Sequence, residues 1–153
     1  MANTLKQTGF VLLVLAAAYY FFHFSELPDR VPIHFDGQGN PNGYGSKLAG
    51  AGLFLIIGAV MFLFHFIRKM DPMTLNYPVQ VTEKNVKKLH ELSMELMSVM
   101  ILWMGIFCVY YSWMVIYAVS NPLPFYDNYV FWGLLVSLFI LLLIYIFKML
   151  KHK

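Results

Sequence analysis

Apolar residues gather into four long runs, separated by segments rich in proline, glycine and charge. The runs cover about residues 8–24, 48–67, 92–119 and 129–149, and their central parts hold no Lys, Arg, Asp or Glu. A bilayer crossing takes about 20 predominantly apolar residues at a rise of about 1.5 Å each. Lipid gives backbone N–H and C=O groups nothing to bond, so runs of this kind predict helices. The expected fold is therefore an all-α integral membrane protein, a single domain over residues 1–153, with four transmembrane helices and an ordered extracytoplasmic loop between the first two. The opening run also resembles a secretory signal, with Lys6 ahead of it and Ala16-Ala17-Ala18 within it. It continues as Tyr19-Tyr20-Phe21-Phe22, whereas a cleaved signal ends its apolar part before the small residues, so a retained span is expected.

Orientation follows from the distribution of Lys and Arg. Lys6, Arg68, Lys69, Lys84, Lys87, Lys88, Lys148, Lys151 and Lys153 fall on one side of the four spans, and only Arg30 and Lys47 on the other, nine against two. Both termini and the 68–91 connection are expected in the cytoplasm, and segments 25–47 and 120–128 outside. Tyr19, Tyr20, Tyr117, Tyr126, Tyr129 and Trp132 lie near span ends, where amphipathic rings prefer to sit. Pro72 and Pro78 interrupt the second connection, and Thr82 followed by Glu83 reads as the cap of a third helix that exceeds thirty residues.

Composition agrees with this placement. Hydrophobic residues make up 59% of the chain and charged residues 12%, about half the usual charged share of a soluble domain. A soluble enzyme, a disordered tail and a nucleic-acid binder are all excluded as first readings, the last also because the net charge is only +3 and the bases do not interleave with aromatics. The single cysteine, Cys108, sits in an apolar run and reads as a buried hydrophobe.

Segment 25–47 carries the most information. Its density of Pro and Gly predicts a shaped turn rather than a helix. Residues 31–36 read as a short extended piece, Asn42-Gly43 as a tight turn, and Ser46 as the cap of the second helix. Lys47 opposes the dipole of the helix it starts, so a carboxylate should compensate it. Asp36, Asp29 and Glu26 are candidates, and the expected arrangement pairs Lys47 with Asp36 beside His34. Pro32, His34, Phe35, Asp36, Tyr44, Ser46 and Lys47 are the expected ligand-binding or loop-organising residues.

The spacing of Pro28, Val31, Pro32, His34, Phe35, Gly39, Ser46 and Lys47 resembles the signature of DUF1648, a bacterial membrane domain found at the N-terminus of SdpI-type bacteriocin-immunity proteins. Asp71-Pro72, Asn76-Tyr77-Pro78 and Thr82-Glu83-x-Asn85 resemble the cytoplasmic connection of small stand-alone members. The family often has Asp where this chain has Asn42, and SdpI-type proteins carry further spans. The resemblance implies a domain and a topology, with immunity against a secreted peptide as its functional expectation.

Other candidates have plain structural readings. His90, Glu91 and Glu95 mark the expected cytoplasmic mouth of helix three, with Glu91 and Glu95 on one face and Lys87 positioned to pair with Glu91. His23 and His65 lie near opposite span ends and read as interfacial. Met94, Met97, Met100 and Met104 form one helical stripe, which suits core packing as well as Cu(I). Gly50-Ala51-Gly52 and Gly58-Ala59 offer close packing or an oligomer contact. No nucleophile elbow, phosphate loop or zinc-protease motif is present, and neither a cofactor nor a metal is expected. The functional expectation is a non-enzymatic protein of the bacterial inner membrane, immunity-like, whose outer loop binds a peptide or protein partner. The alternatives are an accessory subunit or sensor, and a small membrane enzyme or metal carrier.

Overall fold

The structure, a computed structural model, describes residues 2–38, 40–121 and 125–153, with side chains described from residue 128 in the last segment. Gly39 and the 122–124 part of the third connection lie outside the described residues, as does the side chain of Tyr126. The elements are α1 (Ala2–Phe22), β1 (Arg30–Phe35), β2 (Pro41–Ser46), α2 (Lys47–Ile67), a single helical turn at Pro72–Thr74, α3 (Val86–Ser120) and α4 (Phe125–Leu150). All four long helices are long and apolar enough to cross a membrane.

The helices extend past the apolar runs because backbone helix and lipid contact are different quantities. α1 starts at Ala2 rather than near Thr8, since Asn3, Thr4, Lys6 and Gln7 do not break a helix. α3 runs for 35 residues and begins just past a reciprocal cap. The Thr82 backbone N–H donates to Asn85 Oδ1 at 2.8 Å, and the Asn85 N–H returns to Thr82 Oγ1 at 3.3 Å.

The all-helical expectation takes one correction. Segment 30–46 folds as an antiparallel β1–β2 hairpin that pairs Arg30 with Ser46 and Pro32 with Tyr44. Asn42-Gly43 is part of β2 and not the turn. The connection is shaped instead by Asp36, whose carboxylate accepts the backbone N–H groups of Gln38 at 2.8 Å and Asn40 at 2.9 Å. The strand register shifts on both sides of His34, which faces Gly43. A Cβ at Gly43 would lie 2.8 Å from the His34 Cβ, so the glycine makes room for the histidine.

α1 packs most extensively against α3. Gly9 and Gly105 meet at their crossing: a Cβ on Gly9 would strike the backbone carbonyl of Ile101, and one on Gly105 would lie 3.0 Å from the Gly9 Cα. The sequence pointed instead to the small residues of α2. Gly50 is crowded there by the Tyr20 hydroxyl, whereas Gly52 faces open space.

One core cluster fills the bundle beneath the hairpin, with Tyr20, Val31, Cys108 and Val115 fully enclosed. The rings of Tyr20 and Phe54 and those of Phe54 and Tyr111 meet edge to face, at 5.5 and 5.8 Å between centroids. A smaller cluster of Leu89, Leu92 and Met149 lies at the opposite, basic end, covered by Tyr77, Val79 and Val81. The Asn85 amide joins that end together, donating to Gln80 O and His152 O, each at 2.9 Å. α4 packs on α3, where Trp103 Nε1 donates to Leu134 O and Ser137 Oγ. Much of the rest of α4 is exposed apolar surface, including Phe139, Ile140 and Phe147.

Candidate functional site

The hairpin lies across one end of the bundle. Val31 and Pro32 turn down into the core, while Ile33 and Tyr44 remain exposed. Two tyrosines inside the bundle fix the start of α2 under it. Tyr20 donates its hydroxyl to Lys47 O at 3.0 Å, and Tyr111 donates to Gly50 O at 3.2 Å. Ser46 Oγ accepts the Ala49 N–H at 3.1 Å, the cap expected from its position.

Lys47 does not pair with Asp36. Its ammonium donates to Leu27 O at 3.1 Å, stands 5.0 Å from the centre of the Phe24 ring, and lies 3.9 Å from the fully exposed carboxylate of Asp29. The strand register explains the exchange. Pairing Arg30 with Ser46 sets their outer neighbours, Asp29 and Lys47, side by side, and the Lys47 N–H donates to Asp29 O at 3.1 Å. Glu26, the third candidate, holds His23 Nδ1 at 2.8 Å instead.

His34 and Asp36 do share a site. They sit on the rim of a cavity of about 370 Å³ beneath the hairpin. α2 contributes Ala49, Leu53 and Ile56 to its wall, and α3 contributes Phe107, Tyr110, Tyr111 and Met114. Ile33 and Phe35 roof it, while Asn128 and Phe131 of α4 close the far side. The spacing of three and four on both α2 and α3 presents one face of each helix to the space. His34 Nδ1 is hydrogen-bonded to Asn42 Oδ1, which fixes the ring at the rim. The cavity is an apolar volume with a few polar groups at its edge, the usual make-up of a small-ligand or side-chain receptor. α4 also touches the hairpin, where Trp132 Nε1 donates to Gly37 O at 3.4 Å.

The residues of the expected cytoplasmic mouth do not converge. Glu91 pairs with Lys88 at 3.3 Å rather than with Lys87. Glu95 lies within electrostatic reach of Tyr145, and Lys148 stands 4.6 Å from the centre of the Tyr145 ring. His90 Nδ1 is buried without a hydrogen-bond partner among the described residues. No three His, Cys, Asp or Glu side chains among the described residues come together as a metal would need. Met94, Met97, Met100 and Met104 are each half-buried along α3.

Several organising residues were missed from sequence. Arg68 turns into the bundle and bonds Met94 O and the buried Ser98 Oγ, joining α2 to α3. Tyr20, Tyr111 and Asn85 each tie elements distant in the chain. A tyrosine inside an apolar run is the available signal, because its hydroxyl needs a partner once buried.

Residues 11–59 match the model of a family described as Domain of unknown function (DUF1648). Over that stretch, under half of its length, the chain is similar to DUF1648. No curated protein and no solved structure matches it. The matched segment holds most of α1, the whole hairpin and the first part of α2. It therefore supplies the roof and one wall of the cavity, while α3 and α4, outside the match, supply the rest.

Proposed function

We propose that this protein is a non-enzymatic, immunity-like protein of the bacterial inner membrane, and that its hairpin and underlying cavity receive a peptide or protein partner from outside the cell. The observation that carries this reading is the apolar cavity of about 370 Å³ with His34 and Asp36 on its rim. Its size suits one or two apolar side chains of a partner, and the exposed Ile33 and Tyr44 extend that surface outward. The Lys and Arg asymmetry supports an external position for the hairpin. The resemblance of the loop signature to SdpI-type immunity proteins supports a peptide as the partner class.

The test places a photo-crosslinking amino acid at Ile33 in cells that display protection or express candidate membrane partners. A specific adduct that disappears in Leu53→Trp, which fills the cavity, supports the reading, provided Leu53→Trp keeps its folded yield. An adduct unchanged by a filled cavity rejects it. A second reading, an accessory subunit or sensor, is favoured by the unbroken course of α3 from beneath the hairpin to the clasp at Asn85. Recovery of a stoichiometric membrane partner that holds the basic end selects that reading.

A further inference from the structure

At the end of the bundle away from the hairpin, positive charge is partly buried with no acid paired to it among the described residues. Arg68 follows the last turn of α2 and points inward, and both of its described partners, Met94 O and Ser98 Oγ, are uncharged. The ion pairs among the described residues are His23–Glu26, Lys47–Asp29 and Lys88–Glu91, none of which includes Arg68. His65 lies one turn earlier on the same helix, its Nδ1 buried and without a hydrogen-bond partner among the described residues. The charged groups that act on His65 are Lys6 of α1, Lys69 and Arg68, all cations. Burial pushes the Arg68 guanidinium below its ordinary range, the sign of a charge partly withdrawn from water.

Withdrawing a cation from water, even in part, is costly unless an anion or several strong acceptors accompany it. Both neutral oxygens accept from Nη1, which leaves the Nη2 and Nε N–H groups for another acceptor. The half-buried Lys6 and exposed Lys69 add charge where α1 and α2 leave the apolar zone, and exposed Phe62 and Phe66 flank that boundary. A tetrahedral oxyanion with several acceptor oxygens matches a planar fork, an imidazole and two ammonium groups. We propose that Arg68, His65, Lys6 and Lys69 form a phosphoryl-binding site, and that its occupant is the headgroup phosphate of an anionic phospholipid seated against α1 and α2. The flanking phenylalanines favour a lipid-borne phosphate over a free one, because acyl chains would lie on them.

The test uses the full chain, stripped of lipid in detergent. Phosphatidylglycerol, phosphatidylcholine and inorganic phosphate are titrated separately, with bound lipid counted by native mass spectrometry and unfolding followed by Trp fluorescence. The expected result is saturable phosphatidylglycerol binding that stabilises the fold, with Arg68→Gln weakening it about tenfold. Arg68 also bridges two helices, so Lys6→Gln/Lys69→Gln, which spares that bridge, must weaken binding too. Stabilisation by inorganic phosphate to the same extent, lost in the same variants, assigns the site to free phosphate. Equal binding of phosphatidylcholine, or binding indifferent to both variants, overturns the proposal.

Discussion

Tyr20 donates its hydroxyl to the main-chain carbonyl of Lys47 across 3.0 Å, tying the end of α1 to the first residue of α2. The hairpin between them is thus closed at its base by a bond that belongs to neither strand. Tyr20→Phe keeps the ring against Phe54 and removes only the donor. A loss of about 0.5–1.5 kcal/mol is expected, read as a lower unfolding midpoint in detergent or nanodiscs. An unchanged midpoint would show that the ring alone fixes this junction.

At the α1–α3 crossing, Gly105→Ala must move two backbones apart because Gly9 occupies the space a methyl would need. The expected cost is about 1–3 kcal/mol, the range for overpacking a tight contact. Gly52→Ala meets nothing within 4 Å and should leave stability unchanged. Equal tolerance of the two substitutions would contradict the close approach.

Lys47 is held by Leu27 O and the Phe24 ring more than by Asp29, which is fully exposed. Lys47→Met should therefore destabilise the hairpin base, while Asp29→Asn should have no measurable effect. Asp36→Ala should loosen the connection between the strands, because two backbone N–H groups lose their acceptor. Hydrogen exchange at Gln38 and Asn40 reads this directly, and slow exchange in the variant would refute it.

Cys108 is fully enclosed in the core beneath the hairpin. A maleimide should leave it unlabelled in the native protein and label it after denaturation. Labelling at a native rate comparable with that of a free thiol would place α3 differently.

Outside the apolar zone, burial and the neighbouring Asp71 carboxylate hold the Tyr77 phenol above its ordinary value of 10.0. The folded state thus keeps this proton longer than the unfolded chain does. Its contribution is complete below the ordinary phenol range and is lost as pH rises through the elevated folded value. Ionisation also removes the donor that reaches Pro72 O at 3.0 Å. Tyr77→Phe should flatten the decline of stability with rising pH in that range.

The four spans were legible because twenty or so apolar residues in a row have few alternatives in water or lipid. The ends of the helices were less so: Lys6 and Gln7 interrupt the apolar run, and α1 continues through them to Ala2. Asn42-Gly43 misled because two demands use the same residue. A glycine can serve a turn, or it can clear space across a strand pair, and here it clears space for His34. The partner of Lys47 depended on strand register, which joins it to Asp29 and bypasses the nearer Asp36. His34 and Asp36 were found from their loop, but the cavity they border required Phe107, Met114 and Phe131 from helices far along the chain.

The intimate Gly9–Gly105 crossing has a consequence for biogenesis. During synthesis α1 must wait for α3, its chief neighbour, with only the hairpin and α2 to pack against until the chain beyond Val86 has left the ribosome. The crossing therefore closes late, after α1 and α2 have already met.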